Sequence, residues 1–196
     1  MNASSSVSPL AQDTPWRQFV REFSQSRIVL FGLALLAIVL LLAIFAPWLA
    51  PQNPYDLAKL DLMDSRLPPG SESMLGSTFV LGTDGMGRDM FSAILYGLRV
   101  SLMVGVISGA IALALGAGLG VSAAFFGGRY EQILMRIVDI QLGFPAILVA
   151  LILIAVLGTG IEKVIIALVT VQWAYYARTA RSAALVERNK EYMEAA

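Results

Sequence analysis

Four long runs without a charged residue constrain this chain more than any other feature of its sequence. They cover residues 28–55, 100–128, 140–161 and 164–177. The first three are long enough for a bilayer core of roughly 30 Å, which takes about 20 helical residues. The fourth is shorter, and we count it as a span because Lys163 and Arg178 can extend from its ends to the interface. The pattern therefore predicts an all-α, polytopic membrane protein with four spans.

The composition excludes several functional classes. The chain contains no Cys and no His, and 57% of its residues are hydrophobic while 14% are charged. Disulfides, thiolate or imidazole metal sites and Ser-His or Cys-His catalysis are therefore excluded. Acidic and basic residues balance at 14 each, so no overall charge favours nucleic acid. A membrane enzyme is disfavoured because the carboxylates are scattered along the sequence.

Basic residues orient the predicted spans. Arg17, Arg21 and Arg27 precede the first span, so the positive-inside rule predicts a cytoplasmic N-terminus. The first run exceeds the apolar segment of a cleaved signal peptide, and we expect it to stay in the membrane. Nine of the 14 Lys and Arg residues then fall on the cytoplasmic side, with Arg88 and Arg99 as the main exceptions.

This orientation divides the chain into five expected segments. They are a cytoplasmic tail over residues 1–27, a first span over 28–47, an extracytoplasmic loop over 48–93, spans two to four over 94–177, and a cytoplasmic segment over 178–196. Trp16, Phe19, Val20 and Phe23 share one helical face of the tail. That face indicates either a short interfacial helix or a plain extension before the first span.

A glycine-rich stretch, residues 81–89, precedes the second span. Its sequence is Leu-Gly-Thr-Asp-Gly-Met-Gly-Arg-Asp. It lacks the Gly-Lys-Ser/Thr ending of a phosphate loop and the alternating acids of an EF-hand. We interpret it as an ordered turn, in which Asp89 either caps the next helix or pairs with Arg88.

A stripe of small residues at every fourth position marks the second span. Its members are Ser108, Ala112, Gly116, Gly120 and Ala124, and Gly105 and Gly109 add a second pair. Small residues let helices approach closely in lipid. The stripe predicts a packing face, with generic helix packing and a pore or subunit contact left as alternatives.

Two further patterns concern the second half of the chain. Gly143 and Pro145 predict a kink in the third span or its first turn. We expect Asp139 to pair with Arg136 rather than to carry protons. From Arg178 to the end the sequence has no Gly or Pro, which predicts a helix continuing into the cytoplasm; a solvated amphipathic tail is the alternative.

Several stretches in sequence order resemble the second permease subunit of binding-protein-dependent ABC importers for dipeptides, oligopeptides and nickel. These stretches are residues 44–51, 81–89, 97–102, 135–139, 143–145, 177–181 and 191–196. The resemblance covers residues 28–196 and implies a permease of the bacterial inner membrane with six spans, of which four are present. The last stretch, Glu-Tyr-Met-Glu-Ala-Ala, resembles the start of the coupling motif that docks on the ATPase.

The resemblance also implies the partners and the functional residues. The partners are a homologous permease, two cytoplasmic ATPases, an extracytoplasmic solute-binding protein and the lipid bilayer. No Walker A pattern is present, so ATP is expected on the partners and no cofactor on this chain. The expected ATPase-coupling residues are Arg178, Arg181, Glu191, Glu194, Ala195 and Ala196. The expected extracytoplasmic motif is formed by Gly82, Thr83, Asp84, Gly87, Arg88 and Asp89.

Two departures from the family pattern shape the alternatives. Phe79-Val80 stands where the family usually has His-Pro, and the coupling motif does not continue into its Gly and Ile-x-Leu-Pro parts. The sequence is therefore expected to be truncated within that motif. A non-transporting remnant, a four-span scaffold and a secondary transporter are the alternatives. The last is disfavoured because the runs carry no ionisable residue at their centres.

Overall fold

A computed structural model of the chain describes residues 25–56, 60–73, 76 and 78–188. The interfacial helix expected at Trp16 to Phe23 lies outside these residues. The chain forms two compact units, Met1–Leu98 and Arg99–Ala196, and each is described by itself.

Helix α1, Arg27–Leu49, corresponds to the first predicted span. Ser26 caps it, because its Oγ accepts a hydrogen bond from the backbone N–H of Val29 at 3.5 Å. Its 23 residues extend about 34 Å at 1.5 Å per residue, enough to cross a bilayer core. Ala43 and Ala46 are buried while most of the leucines are exposed, which is typical of a helix that faces lipid. The helix includes Pro47 and ends before Pro51.

The loop after α1 contains short elements only. A 3-10 helix, Leu62–Asp64, is followed by strand β1, Ser71–Glu72, which pairs antiparallel with β2, Thr78–Phe79. This hairpin and an isolated bridge between Thr83 and Asp89 form the β-structure of the described residues, so the expected all-α class holds for the bulk of them.

Helix α2, Met90–Phe126, is longer than the run that predicted it. Its 37 residues extend about 55 Å, and it begins ten residues before the uncharged stretch at residue 100. Arg99 marks where the uncharged run begins, but it does not interrupt the helix, because Arg is a good helix former.

The third predicted span is broken. Helix α3, Gly128–Leu142, and helix α4, Ala146–Leu157, meet at an angle of 87°. Pro145 has no backbone N–H and disfavours helical geometry at Phe144, so the chain turns and restarts there. The kink or new first turn expected at Gly143 and Pro145 is therefore a full break, with a new helix starting after Pro145. Hydropathy located the apolar run but does not report the direction of a helix.

Helix α5, Ile161–Arg188, joins the fourth predicted run to the polar segment that follows it. The start of α4 lies beside residues 171–175 of α5, so the two form an antiparallel hairpin. The predicted continuation of the helix beyond Arg178 is confirmed as far as Arg188.

Among the described residues, two helices are long and apolar enough to cross a membrane, α1 and α2. The bent pair α3–α4 makes a third candidate if it is counted as one span. These candidates agree with a helical membrane protein.

Candidate functional site

The small-residue stripe of α2 is buried along its length. Its buried members are Ser108, Ala112, Gly116, Gly120 and Ala124. A Cβ at Gly116 would overlap the carbonyl oxygen of Trp173, and one at Gly120 would overlap that of Ala177. The backbones of α2 and α5 therefore touch at these two glycines, as close packing of small residues in lipid allows. We call this contact the glycine seam.

The second small pair of α2 takes no part in the seam. A Cβ at Gly105 or Gly109 would meet no described atom within 4 Å. The period-four pattern thus contained one packing face and one open face, and the sequence did not distinguish them.

Helix α3 also packs on α5, through a small apolar core. Val138 is fully buried against Ala174 and Ala177, and Met135, Leu142 and Trp173 surround it. The apolar residues of α3 lie on one broad side of the helix, and part of that side provides this packing face.

Ion pairs flank that core and cross from α3 to α5. Arg181 donates to Glu131 through Nε at 2.6 Å, and Arg178 pairs with Asp139. The expected Asp139–Arg136 pair was wrong, because packing places Arg178 of α5 against that carboxylate. Arg178 and Arg181, predicted to act in ATPase coupling, thus have partners within the chain. We call these two pairs the α3–α5 ladder.

A glutamine that the sequence did not single out adds hydrogen bonds between α3 and α5 beside the ladder. Gln141 Oε1 accepts from Trp173 Nε1 at 3.1 Å, and its Nε2 donates to the carbonyl oxygen of Thr170. A lone amide inside an uncharged run was the available signal, since a polar group there needs partners. Both ends of its side chain are used to fix α3 on α5.

The last described residue also holds the helices together. Arg188 donates through Nη1 to the carbonyl oxygen of Ala124 at 3.0 Å. This carbonyl lies in the last turn of α2, where no intrahelical donor is available. The expected coupling residues Glu191, Glu194, Ala195 and Ala196 come later in the sequence and lie outside the described residues.

In the first unit, the glycine-rich stretch forms a closed turn. Gly82 and Gly87 have φ of +77° and +74°, and a Cβ at either would collide with backbone, at Leu67 and Asp61 respectively. Thr83 Oγ1 accepts from the backbone N–H of Leu67 at 2.8 Å and donates to the carbonyl of Asp64. The interpretation as an ordered turn agrees with these contacts.

Asp84 organises the middle of this turn. Its Oδ1 accepts from the backbone N–H of Met86 at 2.8 Å and of Arg88 at 3.0 Å, and its Oδ2 accepts from Arg88 Nε at 2.7 Å. Partial burial acts to raise the pKa of the Asp84 carboxyl, but these hydrogen bonds and the Arg88 charge outweigh it. The pKa therefore lies below its ordinary value.

Asp89 caps α2, one of the two roles proposed for it, while Arg88 pairs with Asp84 instead. Asp89 Oδ2 accepts from the backbone N–H of Ser92 at 2.8 Å and from its hydroxyl at 2.5 Å. Gln52, which the sequence did not single out, joins the chain after α1 to this cap. The Gln52 side-chain Oε1 accepts a hydrogen bond from the backbone N–H of Asp89, and the backbone N–H of Gln52 donates to Ser92 Oγ.

The described residues hold no group of three or more acidic side chains that could bind a metal ion. The candidate sites therefore consist of helix contacts and a structured loop. Such features are typical of a helical membrane protein in which the glycines, ion pairs and hydrogen-bonded side chains described above position the helices.

Comparison with known families agrees with that class. Residues 116–196 match the model of the family described as binding-protein-dependent transport system inner membrane component. Residues 14–69 match the N-terminal TM domain of oligopeptide transport permease C. Over these two segments the chain is similar to inner membrane components of binding-protein-dependent transport systems. The expected family and membrane location are confirmed.

Three curated relatives show the extent of the similarity. The di/tripeptide transport system permease protein DppC of Pseudomonas aeruginosa is 35% identical over 99% of this chain and 63% of its own length. The dipeptide transport system permease protein DppC of Escherichia coli K12 is 39% identical over 93% of this chain and 60% of its own. The glutathione transport system permease protein GsiD of Pectobacterium atrosepticum is 37% identical over 93% and 58%. The chain thus spans about three fifths of each relative.

Proposed function

We propose that this chain is a permease subunit of a binding-protein-dependent ABC importer and forms half of the translocation path for short peptides. The observation that carries the proposal is the match over nearly the whole chain to a relative named for di- and tripeptide transport. Other relatives are named for dipeptides and for glutathione, itself a tripeptide. A solute of two or three residues is their shared chemistry.

The proposed complex contains the partners that such a system requires. A homologous permease completes the path, two ATPases hydrolyse ATP, and a solute-binding protein delivers the peptide. The chain itself is proposed to act mechanically rather than as an enzyme. The alternating-access movement requires that ATPase closure displace the helices that dock on it.

The proposed coupling route begins at residues 191–196 and enters the membrane domain through α5. Glu194 makes a charge-assisted contact with a basic partner, and Ala195 and Ala196 allow close docking. The α3–α5 ladder and the glycine seam support this route, because they attach α5 to both neighbouring helices. Movement of α5 would then move α2 and α3 with it.

The proposed topology follows the basic residues. The N-terminus and residues 178–196 lie in the cytoplasm, and the loop over 48–93 with the Gly82–Asp89 turn lies outside. Four membrane segments are proposed: α1, α2, α4 and the first part of α5.

Co-purification from the native membrane tests the proposed function. The tagged chain is expected to recover an ATPase subunit with a Walker A motif, identified by mass spectrometry. The Glu194→Lys variant, which reverses the charge at the proposed dock, is expected to lose most of the ATPase. Gln132→Ala, far from residue 194 in sequence, serves as the control. Recovery of the chain without any nucleotide-binding partner would support the scaffold alternative instead.

A further inference from the structure

Part of the apolar side of helix α3 remains largely exposed among the described residues, although Phe126 and Ser122 contact Tyr130 at its start. At 3.6 residues per turn, Tyr130, Ile133, Ile137 and Ile140 share one side of the helix. Their exposed fractions lie between 42% and 64%. The side that packs on α5 is a different one, centred on the buried Val138. We call the exposed side the outer stripe of α3.

The charges of α3 are sorted between its sides. Both of its acids are neutralised by α5, through the Glu131–Arg181 and Asp139–Arg178 pairs. Arg129 and Arg136 are exposed and make no ion pair with any residue in the described parts of the chain. On a helical wheel both lie beside the outer stripe. The exposed surface of α3 is therefore an apolar strip with a positive edge.

The angle of 87° between α3 and α4 relates the orientation of α3 in the membrane to that of α4. Helix α4 consists of Ala, Ile, Leu and Val alone. A helix of that composition suits the hydrocarbon. With α4 along the membrane normal, a helix at a right angle to it runs along the membrane surface. Aromatic side chains near both ends of α3, Phe126 with Tyr130 and Phe144, suit the interfacial region.

We propose that α3 is an in-plane interfacial helix. Its outer stripe is inserted at the boundary between headgroups and acyl chains, and Arg129 and Arg136 contact the phosphates of anionic lipids. Charge complementarity and continuity with the apolar surface of α4 favour lipid over a protein partner, whose interface core would be depleted of charge. The proposal rests on the membrane location of the chain and is independent of the solute and of ATPase docking.

Site-directed spin labelling in lipid nanodiscs tests this placement. Since the chain has no native Cys, each variant carries a single label. Ile133→Cys and Ile137→Cys report on the outer stripe, and Gln132→Cys is the matched control on the exposed polar side of the same helix. Accessibility to oxygen, which partitions into lipid, is compared with accessibility to a water-soluble nickel chelate.

Labels at 133 and 137 are expected to collide several-fold more with oxygen and several-fold less with the nickel chelate than the label at 132. Equal nickel access at all three positions would overturn the proposal, because the stripe would then face water. Protection from both reagents would also overturn it, since it would indicate a protein partner.

The lipid charge is tested with the same labels. Replacing pure phosphatidylcholine by a mixture with phosphatidylglycerol is expected to reduce nickel access at 137 further. The combined Arg129→Gln and Arg136→Gln variant should lose this dependence on lipid charge, and the corresponding Lys variant should keep it. An unchanged response in the Gln variant would overturn the assignment of these two arginines, while the depth at 133 and 137 tests the stripe separately.

Discussion

At the scale of single residues, two glycines decide how α2 meets α5. Gly116 and Gly120 lie against the backbone of α5, whereas Gly118, between them on the same helix, has no described atom within 4 Å of a Cβ position. Three glycines in five residues thus experience opposite environments. Sequence spacing identifies such residues, but only their neighbours determine which of them is required.

This contrast predicts opposite effects of the same substitution. Gly120→Ala is expected to destabilise the protein by about 1–3 kcal/mol, because the added methyl overlaps the backbone of Ala177. Gly118→Ala is expected to be neutral or to stabilise by up to about 1 kcal/mol, since Ala is the better helix former. Unfolding by SDS in mixed micelles, followed by tryptophan fluorescence, measures both. Equal effects of the two variants would contradict the seam.

At the scale of an element, the turn over residues 81–89 depends on one ionised carboxylate. The pKa of Asp84 is lowered on folding, so its contribution to stability is present above the ordinary pKa of an aspartate. It is lost as the pH falls through the lower folded value. The turn should therefore resist mild acid and open in strong acid.

The backbone N–H of Arg88 reports this transition by NMR. Its signal is expected to keep its neutral-pH position down to about pH 4, near the ordinary aspartate pKa, and to shift below that. Asp84→Asn should remove the transition, and Glu72→Gln on the exposed hairpin should leave it unchanged. A midpoint at or above the ordinary value would argue against the hydrogen-bonded carboxylate.

The elements also show what the sequence could and could not predict. The apolar runs located α1 and α2 well, because hydropathy and helix length are local properties. The break at Gly143–Pro145 was expected as a kink or as the first turn of the third span, and its angle was not predicted, since a hydropathy run carries no information on direction. Asp139 was assigned the neighbour three residues away, but its partner Arg178 lies on another helix. Gln52 and Gln141 were missed for the same reason, because their roles exist only after distant segments meet.

At the scale of the whole molecule, the proposed orientation determines which surfaces meet which partners. In that orientation the loop with Glu72 lies on the side of the proposed binding protein, and the end of α5 lies on the side of the proposed ATPases. The side of the membrane assigned to each segment rests on the distribution of basic residues alone, so a direct measurement of the topology is needed.

Thiol labelling measures on which side of the membrane each segment lies. In spheroplasts, the Glu72→Cys variant is expected to react with a membrane-impermeant maleimide, while Ser182→Cys reacts only after lysis. Both positions are exposed, so the difference reports the side of the membrane. The reverse pattern would invert the topology, and reaction of both variants before lysis would contradict a span between them.

The glycine seam has a mechanical consequence. Where side chains separate two helices, a change of rotamer can absorb a small displacement of one of them. Between Gly116 and Trp173, and between Gly120 and Ala177, main-chain atoms set the distance and no such adjustment exists. A push on α5 at this level must either move α2 by the same amount or separate the pair.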